Sequence, residues 1–124
     1  MTQRVGILGA SDKDGRYARL AQELLAAHGY TVIPIHPKST EILGVPAFSD
    51  LLKAPDCDTV TIYIGKDRVR QNIDQLLNCS ASRFIFNPGT ECVESMGRLQ
   101  DAGKVVLEAC TLVLLKTGQF EHDF

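Results

Sequence analysis

Short β-branched and apolar runs alternate along this chain with longer segments of helical periodicity, and that alternation limits the fold more than any other feature. The runs are Val5 to Leu8, Thr31 to Ile35, Thr59 to Ile64, Arg83 to Phe86 and Lys104 to Leu107. Turn residues close them off: Gly9, His36-Pro37, Gly65 and Asn87-Pro88-Gly89. Tyr17, Leu20, Ala21, Leu24 and Leu25 form an apolar stripe in a helix from Arg16 to His28, and Gly29 stops it where a left-handed residue is needed. Val69, Ile73, Leu76 and Leu77 stripe a second helix within Lys66 to Asn78, and Cys92, Met96 and Leu99 mark a third that ends near Gly103. Ser39 to Phe48 reads as a loop followed by a short helix at Ser49 to Lys53. The pattern leaves open whether the apolar piece Cys110 to Leu115 is helix or strand.

Strands joined through helices run parallel, because only a crossover returns the chain to the same end of the sheet. The expectation is a single α/β domain over residues 1–124, a Rossmann-like doubly wound sheet of five parallel strands in the order 3-2-1-4-5. Ligands of such folds lie beyond the carboxyl ends of the strands, where the order reverses. Here that point falls between strands one and four.

Composition removes several classes of function. The 124 residues carry a net charge of -2 with 44% hydrophobic and 23% charged residues, so no global field draws the chain to nucleic acid or an anionic membrane. No apolar run approaches the ~18 residues of a membrane span. Cys57, Cys79, Cys92 and Cys110 are too widely spaced to suggest a metal site. They read as reduced thiols of a cytoplasmic protein.

Polar and glycine-bearing turns converge at the predicted ligand edge. Gly9 gives a tight exit from the first strand, small Ala10 and Ser11 allow close approach, and the Ser11 hydroxyl and early helix amides suit a phosphate. The Gly9-x5-Gly15 spacing matches neither the dinucleotide nor the P-loop fingerprint, and Asp12 and Asp14 bring negative charge beside the turn. After the second strand, a domain that binds NAD places an acid. This chain has His36-Pro37-Lys38, which suits a phosphorylated ribose, as in NADP or coenzyme A. Asn87, Pro88 and Gly89 form the third turn, with an Asn87 amide suited to a base or a pantetheine amide.

The Gly9-Ala10-Ser11 turn, "VIPIHPK", "IFNPGTE" and "VVLEACTLVLLKTGQF" together resemble the small stand-alone CoA-binding domain proteins, relatives of the CoA-binding domain of the succinyl-CoA synthetase α subunit. The resemblance covers Val5 to Phe120, with His36 standing where the family has Asn before Pro-Lys. It implies that Gly9, Ala10, Ser11 and Asp12 meet the CoA phosphates. Pro37 and Lys38 would surround the adenosine 3′-phosphate, and Asn87, Pro88 and Gly89 would follow the nucleotide towards the pantetheine arm.

No catalytic constellation is apparent. Of the histidines His28, His36 and His122, only His36 stands at the ligand edge. Glu108 reads as a partly buried acid with a structural hydrogen bond, and Cys110 as a buried small hydrophobe. The expected function is non-catalytic binding of CoA or an acyl-CoA, as a sensor or an accessory to a partner enzyme, with a homodimer as a further expectation. An NADP-dependent oxidoreductase is the alternative, followed by a ligand-free interaction module favoured by Asp12 and Asp14.

Overall fold

The architecture follows from a computed structural model that describes residues 3–121, so His122 lies outside the described residues. Its main sheet is built from β1 (Arg4–Leu8), β2 (Thr31–Ile35), β5 (Thr59–Ile62), β6 (Arg83–Phe86) and β7 (Val105–Glu108). All neighbours pair in parallel, in the spatial order β2-β1-β5-β6-β7. The helices are α1 (Tyr17–Ala27), α2 (Lys66–Gln71), α3 (Ile73–Asn78), α4 (Val93–Asp101) and α5 (Thr111–Lys116). Inside the connection after β2, β3 (Glu41–Ile42) and β4 (Val45–Pro46) form a small antiparallel hairpin.

The doubly wound parallel sheet is as expected; the strand order is not. Counted by main-sheet strands, the order is 2-1-3-4-5 rather than 3-2-1-4-5. Two apolar layers show why. Val5, Ile7, Ala18, Leu25, Leu114 and Leu115 pack together on the face covered by α1 and α5. On the opposite face Val60, Val69, Leu76, Phe84 and Leu99 pack with Leu51 and Cys57, which belong to the connection between β2 and β5. That connection therefore crosses beneath β1 on the face away from α1. A right-handed crossover on this face sets β5 on the other side of β1. Every residue of β5 is buried, which fits a central strand between β1 and β6 and not an edge.

Smaller differences have local causes. The segment from Lys66 to Asn78 is two short helices, broken at Asn72, whose side-chain Nδ2 turns back to the Arg68 carbonyl at 2.7 Å. Residues 49–54 form turns and no helix. The piece left open is the helix α5, with Leu114 and Leu115 buried and Val113 exposed. Glu108 is exposed at the end of the edge strand β7, so it is not a partly buried acid.

Candidate functional site

Reversal of strand order now falls between β1 and β5, and a cleft of about 630 Å³ opens above it. The turns after β1, β2 and β6 all reach this cleft, through Gly9, Ala10 and Ser11, through His36, Pro37 and Lys38, and through Pro88 and Gly89. Because β5 is central, the turn after it arrives as well, contributing Tyr63, Ile64, Gly65 and Arg68. In the expected order 3-2-1-4-5 its strand lies at the edge of the sheet, away from the reversal. The corrected strand order brings it into the site.

Gly9 is required where it stands. Its φ is +93°, and a Cβ there would meet Ile64 Cγ2 at 2.9 Å and the Tyr63 carbonyl carbon at 3.1 Å. Glycine thus lets the β1 and β5 exits approach each other across the reversal point. The amides of Gly9 and Ala10 both donate to the Ile35 carbonyl at 3.2 Å, tying the first turn to the end of β2. They are spent on the scaffold and do not offer themselves to a phosphate. Ser11 Oγ accepts from the Lys13 amide at 3.1 Å, which leaves its proton to donate. The helix α1 begins only at Tyr17, so the chain from Ser11 to Arg16 is a non-helical rim, turned at residues 13–16, that carries Lys13 and Arg16 to the cleft.

Asp12 and Asp14 do not oppose an anion there. Neither lines the cleft. Arg19 Nη1 binds the Asp12 carbonyl at 2.6 Å and the Asp14 carboxylate at 2.9 Å, and its Nε reaches Glu23 at 3.4 Å. The rim is folded back over α1, and the Asp14 side chain is 97% exposed. The feature that favoured a ligand-free interaction module is thereby turned away from the site.

Asn87 also differs from expectation. It is 2% exposed, and its Nδ2 donates to Thr61 Oγ1 at 2.7 Å and to the Ile62 carbonyl at 2.9 Å. Its Oδ1 accepts from the Thr111 amide at 2.9 Å, holding the first turn of α5, while the Thr61 and Thr111 hydroxyls meet at 2.7 Å. With every polar position committed, the amide supports the floor of the site and reads no base. Burial pushes the Tyr63 phenol up to about 12, against the lowering effect of the Thr111 and Thr61 hydroxyls, so it stays a neutral hydroxyl. Pro88 and Gly89 do line the cleft, and among the described residues nothing beyond Gly89's own chain neighbours lies within 4 Å of where a Cβ would stand.

Among the described residues four cationic side chains line the cleft, Lys13, Arg16, Lys38 and Arg68, and no carboxylate does. None of the four takes part in an ion pair among the described residues. Only Lys38 was singled out from sequence. The other three sit on the rim after β1 and in the first turn of α2, where a lone basic residue looks like ordinary surface. Cations left without counter-charges around one concavity, with open glycine turns beside them, are what a polyphosphate needs. The groups present therefore fit the phosphates of CoA.

Fold and site together define a doubly wound α/β domain with a cleft rimmed by cationic side chains at its switch point. The sequence places it within one family: residues 3–116 match the CoA binding domain, and the chain belongs to that family. It is similar to the uncharacterized protein YneT of Bacillus subtilis, 25% identical over 114 residues that make up 90% of this chain and 84% of YneT. It is 27% identical over 105 residues to an ADP-forming acetate–CoA ligase of Archaeoglobus fulgidus, spanning 85% of this chain but only 13% of the ligase. A crystal structure of an uncharacterized protein, 36% identical, superposes with a TM-score of 0.88 and covers 97% of this chain and 99% of its own. No helix among the described residues is long and apolar enough to cross a membrane.

Proposed function

We propose that this chain binds coenzyme A or an acyl-CoA in the switch-point cleft without transforming it, as a sensor or as an accessory to a partner enzyme. One observation carries the reading: among the described residues, Lys13, Arg16, Lys38 and Arg68 converge without ion pairs on a cleft that no carboxylate lines. Lys38, just past β2, takes the 3′-phosphate, while the rim cations and Ser11 face the pyrophosphate across the Gly9 turn. Family membership and the likeness to an acetate–CoA ligase support CoA as the ligand class. Cys110 and Glu108, the groups nearest to a nucleophile and an acid at this end of the sheet, stand outside the cleft lining, which favours binding over catalysis.

Titration calorimetry with CoA, dephospho-CoA, NADP and NAD tests this. CoA is expected to bind at least about tenfold more tightly than dephospho-CoA, the equivalent of one charge-assisted contact of ~1.5 kcal/mol. Equal binding of the two, or preference for NADP, would overturn the assignment. Native mass spectrometry of the protein as purified would identify any acyl group carried with it and would show whether a second copy or a partner accompanies it.

A further inference from the structure

His36 opens the His36-Pro37-Lys38 turn after β2. The structure shows what the histidine does there. His36 Nδ1 lies 3.0 Å from the amide of Lys38 and 3.0 Å from the amide of Ser39, and accepts from both. Counted along the side chain, histidine Nδ1 and asparagine Oδ1 occupy the same place, one bond beyond Cγ, so imidazole reproduces the turn an Asn side chain would make. Pro37 has no amide to offer. The two bonds to Nδ1 are therefore what joins the Pro37–Ser39 backbone to a side chain among the described residues. On the other side, the His36 amide is fixed to the Phe48 carbonyl at 2.9 Å, so the ring hangs from a backbone that cannot easily follow it.

We propose that His36 is the positioning residue for Lys38, holding the Lys38 turn through the Nδ1 lone pair, and that protonation of the ring releases this turn and weakens ligand binding. The inference rests on the CoA reading given above. Only neutral imidazole has an acceptor; in the imidazolium both nitrogens donate, and the amides of Lys38 and Ser39 then face an N–H. The charged groups that share the cleft with the ring are Lys13 and Arg16 from the rim, Lys38 from its own turn and Arg68 from α2. Glu41 opens β3 beyond the turn and is exposed. Towards β4, the facing residues Ala47 and Phe48 carry no charge, and the next acid, Asp50, is engaged by Lys53. The surroundings thus offer no carboxylate in the cleft to hold an imidazolium in place of the lost bonds.

The test compares wild type with His36→Asn, which keeps the acceptor and cannot titrate, and His36→Ala, which removes it. Calorimetry with CoA is run between about pH 5.5 and 8, the range in which histidine changes charge. At pH 8, His36→Ala is expected to lose about tenfold in affinity, and His36→Asn to restore most of that loss, as for two neutral hydrogen bonds. As the pH falls towards 5.5, His36→Asn is expected to bind progressively more tightly than wild type, by up to about tenfold once the ring is fully charged and wild type resembles His36→Ala. Taking the ratio between variants at each pH cancels the ionisation of the 3′-phosphate itself.

A ratio that stays flat with pH would overturn the inference. So would a wild type that gains on His36→Asn in acid, since the imidazolium would then be serving as a phosphate-binding cation. The Lys38 and Ser39 amide resonances of the ligand-free protein give a second readout: they should titrate in wild type and stand still in His36→Asn. If they titrate while no form binds CoA at any pH, the CoA reading falls and the turn assignment stands. If they fail to titrate, the turn assignment falls whatever binds.

Discussion

The two ends of the sheet hold their positive charge in opposite ways. At the amino end, Arg83 is 8% exposed and its fork is fully engaged: Nε donates to Thr59 Oγ1 at 2.9 Å, Nη1 to the Phe120 carbonyl at 2.5 Å and Nη2 to Gln3 Oε1 at 3.2 Å. Its guanidinium also sits 4.7 Å from the Phe120 ring centroid. At the carboxyl end, Lys13, Arg16, Lys38 and Arg68 are exposed and without ion pairs among the described residues. A buried cation must be saturated to be tolerated, so Arg83 is a fastener between β5, β6 and the end of the chain. Exposed cations around a concavity repel one another only weakly, because water and salt screen them, and their donors stay open to an anion. The comparison separates charge spent on the fold from charge left without a partner at the cleft among the described residues.

The largest way to break this contrast is at Arg83. Arg83→Ala strands the Phe120 carbonyl, leaves the Thr59 and Gln3 side chains with only their 3.0 Å bond to each other, and removes the cation from the Phe120 ring. It is expected to destabilise the fold by about 2–4 kcal/mol in urea denaturation, while the folded fraction keeps its affinity for CoA. A loss of affinity larger than the loss of folded protein would show that the two ends are coupled.

Lys38 is the converse. Lys38→Ala is expected to leave the urea midpoint within about 0.5 kcal/mol of wild type, as for an exposed side chain. CoA binding should weaken by about 1.5–3 kcal/mol, roughly ten- to 150-fold. Dephospho-CoA should lose far less, since it lacks the phosphate addressed. Equal losses for both ligands would remove Lys38 from the 3′-phosphate.

Strands were legible from sequence because β-branched runs such as Thr31 to Ile35 sit between turn residues. Their order was not. The connection from His36 to Asp58 contains no helical stripe, and the turn to the far face is set by where Leu51 and Cys57 find apolar partners, a long-range choice. Burial of all of β5 was the available signal, because "TVTI" has no charged face to turn outwards. Within the site, the glycine and proline turns were legible because their backbone needs are local. Lys13, Arg16 and Arg68 were not, since exposed cations identify themselves only once folding gathers them. Asn87 looked like a ligand reader because its burial depends on α5, which folds back over the sheet some twenty residues later and takes its Oδ1 as a cap.

The finest test of the contrast concerns the acids beside the first turn. By Coulomb's law alone, Asp12 and Asp14 should repel a polyphosphate a few residues away. The structure gives them another partner: Arg19 gathers the Asp12 carbonyl and the Asp14 carboxylate on the side of the rim facing α1. A carboxylate that is exposed, paired and aimed into solvent is screened by water and salt over about 8–10 Å. Asp14→Asn should therefore change CoA affinity by no more than about twofold at physiological ionic strength, within the range of a surface pair. Arg19→Ala should act slightly more strongly, because it frees both the carboxylate and the rim that carries Lys13. If Asp14→Asn instead tightened binding tenfold, the rim would be facing the cleft when the ligand is bound. The acids would then belong to the site and not to the scaffold.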